Sequence, residues 1–379
     1  MNAIPLVSAG IAVAAVAGVA CAGLAYLGRR VVMPRPAKLV DAKVNEAGTH
    51  ITLPLTPTTQ APGQHGLWHN TGHLRVGSVT RLDEIAGVVE REIVHTTGHG
   101  AEMMTRGRWS GHAFGRAEDV HVDVEEVEIP TEDGAAPAWL FPGPENADTW
   151  AIHVHGIRTS RFSALRTVPV ALQLGMRSLV PSYYGDSDNL GDGDRPCYLG
   201  QREWRDVEAA LDYAVAHGAR RIILFGWSMG GSIALLLSER SRHRALISGI
   251  VLASPATDMR ATVTGAARDA GLPAPIARLV PVALATPPLS RWSKLSEPID
   301  FDALDWSTPD RLQVPTLTIH SDGDTDIPIA LTQRFIDANP DFATLEILEP
   351  VPHQLEWNAS PERFDRTISS WLHEHKILP

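Results

Sequence analysis

From residue 120 onward, short apolar runs alternate with stretches in which apolar residues recur at helical spacing. An apolar run bounded by turn residues predicts a buried strand, whereas a 3.6-residue period predicts a helix packed on a sheet. The pattern therefore predicts an α/β fold with a mostly parallel sheet and helices on both faces. We expect strands at 120–129, 136–141, 149–154, 177–181, 221–225, 249–253, 314–320 and 344–348, and helices at 163–174, 204–217, 231–239, 329–338 and 361–376.

Two other segments differ from this alternating pattern. Residues 31–118 are rich in Gly, Thr, His and Pro and contain short β-branched runs at 50–55, 74–80 and 88–96, which predicts a small β-rich N-terminal extension. Residues 259–311, within a predicted catalytic domain of 119–379, are rich in Pro and Ala and are interpreted as a cap or lid. Because variable loops commonly carry specificity, this cap is expected to build the selectivity pocket.

The N-terminal segment is strongly apolar. No charged residue occurs from Ala3 to Leu27, and Arg29 and Arg30 follow directly. About 20 apolar residues suffice to cross a bilayer, so residues 1–30 are predicted to form a transmembrane helix. A cleaved signal peptide would carry positive charge before a shorter apolar run. Because the basic residues follow the span, the positive-inside rule predicts a single-pass protein of the cell membrane with its catalytic domain in the cytoplasm.

Charge and residue clusters exclude some partners. A formal net charge of -11 argues against nucleic acid as a partner. Cys21 and Cys197 cannot form a disulfide framework. His65, His69 and His73 have the four-residue spacing of one helix face, but the glycines among them would break a helix, so we predict no metal site. No cofactor is expected.

A candidate nucleophile follows the strand predicted at 221–225. The pentapeptide 226–230 reads Gly-Trp-Ser-Met-Gly and lies directly between that strand and a helix, the context in which a strained turn presents a serine above a sheet. Gly226 and Gly230 are required because side chains there would collide with the neighbouring strand and helix. We therefore predict Ser228 as the nucleophile, in preference to an inert serine in a glycine-rich turn.

A serine hydroxyl needs a base to accept its proton and an acid to orient that base. Three aspartates follow the strand predicted at 314–320, and of these Asp324 is the predicted acid, with Asp322 and Asp326 as alternatives or turn residues. His353, in the loop after the last strand, is the predicted base. The chain order Ser, Asp, His is that of α/β hydrolases.

A tetrahedral intermediate requires donors for its oxyanion, which are usually backbone N–H groups. Met229 follows the nucleophile at the positive end of a helix, and Ile157 follows His155-Gly156 at the end of the strand predicted at 149–154. The N–H groups of Met229 and Ile157 are therefore the predicted oxyanion hole.

Residues 120–379 resemble the α/β-hydrolase superfamily through His155-Gly156, the pentapeptide 226–230, Asp324 and His353. The spacing from Asp324 to Ile327-Pro328 matches the register of that superfamily, whereas Ser321 departs from it because glycine is commoner there. The β-rich extension and the stretch from His353 to Trp357-Asn358 are similar to bacterial membrane-anchored, prolyl-oligopeptidase-like serine hydrolases. The resemblance implies an α/β-hydrolase fold and cleavage of an ester, thioester, amide or peptide through an acyl-enzyme, without metal or organic cofactor.

Three functions remain open from the sequence. An esterase or lipase-like hydrolase that acts on a small acyl ester is the leading expectation. A serine peptidase of prolyl-oligopeptidase type is the alternative, although residues 31–118 are too short and lack the repeats for a propeller. A non-catalytic relative that binds a ligand or partner is the third, but all three triad positions have suitable occupants.

Overall fold

The computed structural model describes residue 18 and residues 21–120, 123–186 and 195–378. Its strands form one sheet of seven and one of eight. Residues 21–32 are helical and are called α1. The seven strands of the first sheet are β1 Val40–Asp41, β2 Lys43–Val44, β3 His50–Pro54, β4 His65–His69, β5 Gly72–Asp83, β6 Val88–Gly98 and β7 Arg106–Ser110.

The first sheet closes on itself. Its order is β1-β7-β4-β5-β6-β3-β2, and all of its pairings are antiparallel. Only Ala42 separates β1 from β2, so one short segment pairs with β7 on one side and with β3 on the other. The result is a small barrel around an apolar core that includes Ile51, Leu67 and Leu74. The predicted β-rich runs correspond to β3, β5 and β6, and the remaining strands were not predicted.

The second sheet is the larger one, with order β15-β14-β13-β12-β10-β11-β9-β8. Neighbouring strands from β10 to β15 are parallel, whereas β9 is antiparallel to both β8 and β11. The predicted parallel sheet therefore has an antiparallel edge. Its strands are β8 Glu125–Thr131, β9 Gly134–Phe141, β10 Thr149–Val154, β11 Arg177–Pro181, β12 Arg221–Trp227, β13 Ile247–Ala253, β14 Thr316–Ser321 and β15 Ala343–Leu348.

Helices cover both faces of this sheet, as its continuously apolar strands predict. Trp150, Ile152 and Val154 of β10 join one apolar core and Ala151 joins the other, because successive side chains point to opposite faces. The helices are α2 Arg161–Ala164, α3 Val168–Gln173, α4 Trp204–Ala216, α5 Met229–Arg240, α6 Met259–Asp269, α7 Ala274–Ala277, α8 Leu279–Ala285, α9 Leu289–Trp292, α10 Ile329–Ala338, α11 Glu356–Ala359 and α12 Pro361–Glu374.

Two predicted helical segments differ in detail. The helix predicted at 163–174 is divided into α2 and α3 by a 3₁₀ turn, and Pro169 lies in the first turn of α3, where its missing N–H is tolerated. The predicted cap, 259–311, contains α6 to α9. Met259, Val263 and Leu284 of this segment pack into the same core as α4 and α5.

Most of the apolar span predicted at 3–27 lies outside the described residues. Within the described part of the chain, no helix is long and apolar enough to cross a bilayer. The described turns of α1 pack on the folded chain instead. Ala25 and Val32 are buried, and the Ser293 hydroxyl donates a 3.0 Å hydrogen bond to the Ala25 carbonyl. The described residues therefore give the predicted transmembrane helix no support.

Candidate active site

The turn between β12 and α5 holds Ser228 in a strained conformation. Its φ and ψ angles are 52° and -115°, outside the regions that most side chains adopt. Two close approaches enforce this turn. A Cβ atom at Gly226 would lie 2.6 Å from the Gly230 carbonyl oxygen, and one at Gly230 would lie 2.2 Å from the Val154 carbonyl oxygen. Only glycine fits at either position.

A line of hydrogen bonds connects Ser228, His353 and Asp324. The Ser228 Oγ atom lies 3.0 Å from His353 Nε2, and His353 Nδ1 lies 2.6 Å from Asp324 Oδ2. Because the carboxylate can only accept, Nδ1 carries the proton and Nε2 is left to accept the serine hydroxyl proton. The imidazole is thus oriented to act as a base toward Ser228.

Of the three candidate aspartates, Asp324 is buried and reaches His353, whereas Asp322 and Asp326 are exposed. Its Oδ1 atom accepts hydrogen bonds of 2.9 Å from the backbone N–H groups of Asp326 and Ile327. Asp326 therefore contributes its backbone to the turn that holds the acid.

The protonation chemistry follows from these contacts. Burial raises the pKa of Asp324, but hydrogen bonds from His320 and His353 outweigh burial and hold that pKa below its usual range. Burial lowers the pKa of His353, but the hydrogen bond and the charge of Asp324 outweigh it, so the pKa of His353 lies above its usual 6.5. Asp324 therefore stays ionised, and it stabilises the imidazolium that would form after proton transfer.

The predicted oxyanion residues belong to the segment that follows Ser228 and to the segment that follows β10. Met229 begins α5, where the helix dipole is positive, and Ile157 follows β10. A Cβ atom at Gly156 would lie 3.2 Å from the Ser228 Cβ atom, so the backbone after β10 approaches the serine closely. This arrangement brings two backbone segments close to Ser228.

The loop after β10 is held in place by contacts with Tyr183 and Asp186. The Tyr183 hydroxyl lies 2.8 Å from the His155 carbonyl oxygen and 2.9 Å from that of Gly156. The His155 ring stacks on Tyr183 with centroids 4.1 Å apart, and its Nε2 lies 2.9 Å from Asp186 Oδ2. These buried contacts orient the peptide that precedes Ile157.

A cavity of about 460 Å³ opens beside Met229 and Ile157. Its walls come from the segment 32–38, which we call the strap, from residues 108–112 of the barrel, and from the loops after β10 and β11. No residue of the predicted cap, 259–311, lines this cavity. The walls of this cavity therefore come from the strap, the barrel and the hydrolase loops, and the expectation that the cap builds the selectivity pocket stays a prediction.

Family models match two parts of the chain. Residues 40–110, the barrel, match a domain of unknown function (DUF8805), and residues 201–305 match the family described as serine aminopeptidase, S33. No curated protein matches the chain in sequence.

Solved structures show the same architecture. Two crystal forms of the Pyrococcus furiosus esterase Pf2001 each align with a TM-score of 0.52, at 19% and 21% identity, over 69% of this chain and 96% and 94% of the esterase. The chain has the α/β-hydrolase fold. A thermophilic esterase from Thermogutta terrifontis aligns at 18% identity over 66% of this chain and 99% of the esterase, with a TM-score of 0.44.

Within this α/β-hydrolase fold, His320 is a site residue that sequence reasoning missed. Its Nε2 lies 3.0 Å from Asp324 Oδ2 and 3.1 Å from the Ile327 carbonyl oxygen, and its Nδ1 lies 2.7 Å from Thr332 Oγ1. Since Nε2 faces two acceptors, it carries the proton, and Nδ1 accepts from the threonine hydroxyl. The sequence signal was a histidine at the end of an apolar strand.

The base loop of the hydrolase is held through the residue after His353. Gln354 has a φ of 61°, in the left-handed region, so its backbone needs support. Its N–H donates a 3.3 Å hydrogen bond to Ser254 Oγ, and the Ser254 hydroxyl donates to the buried carboxyl of Glu356. Burial raises the pKa of Glu356. These contacts fix the peptide that carries the imidazole.

Arg166 supports the same loop from the other side. Its guanidinium is buried, stacks 3.8 Å above the Trp227 ring, and donates to the Gln354 carbonyl at 2.5 Å and to Asn358 Oδ1 at 2.8 Å. Burial lowers the pKa of Arg166 to about 9, which keeps it charged at neutral pH. The sequence could have pointed to Arg166, because it is the one charged residue in the otherwise uncharged stretch 163–174.

Asn358 links the barrel to the base loop. Its Nδ2 donates a 2.9 Å hydrogen bond to the Gly111 carbonyl and a second one to the Gln64 carbonyl, while its own carbonyl accepts a 3.2 Å hydrogen bond from the Gln64 N–H. Gly63 packs so closely that a Cβ atom there would lie 1.6 Å from the backbone carbonyl oxygen of Asn358. The barrel thus contacts the segment that carries His353.

The three histidines with four-residue spacing lie on strands. His65 and His69 are the ends of β4, and His73 follows on β5. The Nε2 atom of His65 contacts the Ala61 and Pro62 carbonyls, and burial lowers the pKa of His65 to about 3. The four-residue spacing therefore does not align the three histidines on one helix face, because they lie on two strands.

Proposed function

We propose that the chain is a serine hydrolase that cleaves an acyl ester through Ser228, His353 and Asp324. The observation that carries the proposal is the continuous hydrogen-bonded line from the Ser228 hydroxyl through His353 to the ionised Asp324. In the acylation step, His353 Nε2 takes the hydroxyl proton as Ser228 Oγ attacks the ester carbonyl carbon. The oxyanion that forms would receive hydrogen bonds from the N–H groups of Met229 and Ile157.

In the remaining steps His353 acts first as an acid and then again as a base. The imidazolium of His353 gives its proton to the leaving alkoxide, which departs as an alcohol and leaves an acyl ester on Ser228. Water then loses a proton to His353 and attacks the acyl carbon, and the proton returns to Ser228 Oγ as the carboxylic acid leaves. Asp324 stays ionised throughout and stabilises each imidazolium.

A second candidate, aminopeptidase activity, comes from the description of the family matched over residues 201–305. An aminopeptidase must bind the ammonium group of its substrate, for which carboxylates are the suitable partners. Among the described residues that line the cavity, Asp186 is the one carboxylate, and it already contacts His155. Among the described lining residues, basic side chains outnumber this carboxylate, which favours an ester over a peptide with a free amino terminus.

The two candidates are separated by turnover of p-nitrophenyl butyrate and of leucine p-nitroanilide. We expect hydrolysis of the ester, and a loss of about 10⁴-fold or more in kcat for Ser228→Ala. Ser232→Ala is the matched control, because this buried serine lies one turn into α5 and its hydroxyl has no hydrogen-bond partner among the described residues. Turnover of the anilide alone would favour the aminopeptidase, and full ester turnover by Ser228→Ala would refute the proposal.

A further inference from the structure

The side chain of Gln354 lies in the active site. Its Nε2 atom is 3.3 Å from His353 Nε2, the nitrogen that faces the Ser228 hydroxyl at 3.0 Å. It also lies against the loop after β10, because a Cβ atom at Gly156 would be 3.0 Å from Gln354 Nε2 and 3.2 Å from the Ser228 Cβ atom. The amide and the nucleophile therefore border the same space, between the base and the loop that carries Ile157.

Among the described residues, the amide of Gln354 has no acceptor of its own. The one hydrogen-bond contact of this side chain with that part of the chain is to His353 Nε2. A neutral imidazole has a single acceptor nitrogen, and the Ser228 hydroxyl is the nearer donor to it. The amide therefore brings two N–H groups to the reacting atoms without satisfying them on these residues.

The backbone holds this side chain in place in a strained conformation. A φ of 61° puts Gln354 in the left-handed region, which glycine adopts without a steric penalty. Its N–H donates to Ser254 Oγ and its carbonyl accepts from the Arg166 guanidinium, so the strained residue is fixed on both sides. Strained residues of this kind cluster at active sites, where the surrounding structure enforces them. Glycine could make both backbone contacts, so they do not account for the glutamine side chain.

The role of the base identifies the reacting atom that the amide can reach. His353 Nε2 must give its proton to the leaving-group oxygen, so that oxygen has to lie within about 3 Å of Nε2. Because Gln354 Nε2 is 3.3 Å from the same nitrogen, a hydrogen bond from the amide to that oxygen needs no movement of the backbone. The carbonyl oxyanion has its own predicted donors, the N–H groups of Met229 and Ile157. The leaving-group oxygen is therefore the atom that lacks a donor other than the base.

We propose that Gln354 is a catalytic residue whose amide donates a hydrogen bond to the leaving-group oxygen of the ester. The inference rests on the proposed serine hydrolase function and deepens it. As the bond between the acyl carbon and this oxygen breaks, negative charge builds on the oxygen, and the amide N–H stabilises that charge. His353 supplies the proton, the alcohol departs, and the acyl group stays on Ser228. The amide itself neither gains nor loses a proton.

Two variants that remove the amide test the inference. Gln354→Gly deletes the side chain where glycine is unstrained, and Gln354→Met keeps a side chain of similar length without a donor. The substrates are acetate esters whose leaving groups range from p-nitrophenol to unsubstituted phenol. We expect kcat/KM for phenyl acetate to fall by about tenfold or more in both variants, the loss of one hydrogen bond in the transition state. For p-nitrophenyl acetate we expect a fall of less than about threefold, because p-nitrophenolate leaves with little stabilisation.

Asp310→Gly is the matched control for the backbone. Asp310 is exposed, has a φ of 60°, and precedes β14, whereas Asp324 follows that strand at its other end. We expect neither glycine variant to lower the urea midpoint of unfolding, because each replaces a side chain in the left-handed region. Only Gln354→Gly should change the dependence of kcat/KM on the leaving group.

The outcomes separate this inference from the proposed function. A loss by the same factor for every ester in the Gln354 variants would overturn the inference, because a displaced base loop or a lost oxyanion donor affects all leaving groups alike. Unchanged kcat/KM for phenyl acetate in Gln354→Gly would also overturn it and leave the serine hydrolase intact. A wild-type protein that turns over none of these esters and does not react with a fluorophosphonate would overturn both proposals.

Discussion

The most informative single substitution in the base loop is Arg166→Met. Methionine fills a similar apolar volume but removes the charge, the stack on Trp227, and the hydrogen bonds to the Gln354 carbonyl and to Asn358 Oδ1. Asn358 is buried and also contacts the barrel, and the Gln354 carbonyl is partly buried. Arg166 makes no hydrogen bond to Ser228, His353 or Asp324, so a loss of activity would act through the position of the base loop or of the turn that carries Trp227 and Ser228.

The magnitude follows from the contacts that are lost. A hydrogen bond to a charged group contributes about 1.5–3 kcal/mol, and a buried cation–π contact about 2 kcal/mol. Relief of the cost of burying a guanidinium opposes this loss. Removing one member of a buried charged network costs about 3–5 kcal/mol in total, so we expect the free energy of unfolding to fall by about 3 kcal/mol. A base displaced by about 1 Å would lower kcat by about 100-fold.

Two measurements check this expectation. Urea denaturation gives the change in the free energy of unfolding, and p-nitrophenyl butyrate turnover under folding conditions gives kcat. Arg366→Met on α12 is the control, since this exposed arginine should contribute less than about 0.5 kcal/mol. A loss of less than 1 kcal/mol with unchanged kcat in Arg166→Met would refute the assigned support of the base loop.

Two further predictions concern the base and the nucleophile turn. The pKa of His353 is raised above 6.5, and the neutral imidazole is the active form. We therefore expect kcat/KM to fall as the pH drops through a value above 6.5. A pH profile in which kcat/KM falls only well below pH 6.5 would contradict this assignment. Gly230→Ala should lower the free energy of unfolding by about 3 kcal/mol or more and abolish turnover, because its Cβ atom would lie 2.2 Å from the Val154 carbonyl oxygen. Its control is Gly265→Ala on α6, where the space is open and stability should rise by about 0.5–1 kcal/mol; equal effects of the two variants on stability, measured by urea denaturation, would refute the steric argument.

The parts of the site that lie at strand ends could be predicted from the sequence. Buried parallel strands are apolar along their length, so β10, β12 and β14 are visible as runs, and polar residues that follow them meet at one edge of the sheet. Ser228 and Asp324 were found in this way, whereas His353 was predicted from the loop after the last strand. The structure places His353 within hydrogen-bond distance of both Ser228 and Asp324.

What supports those residues could not be predicted, because it depends on long-range contacts. Arg166 and Gln354 are separated by 188 positions and Asn358 and Gln64 by 294, and no local pattern pairs them. The barrel strands β1 and β2 have two residues each, too few for a period to show. For the same reason the sequence did not predict that the strap and the barrel line a cavity together with the loops after β10 and β11.

The most direct test of the central claim is covalent labelling by a fluorophosphonate, followed by intact mass and peptide mapping. The account predicts a single adduct on Ser228 that forms in the wild-type protein and in Ser232→Ala, and is lost in Ser228→Ala. Labelling should slow as pH falls through the pKa of His353, because the serine needs the neutral imidazole. An adduct on another residue, or equal labelling of Ser228→Ala, would contradict the account.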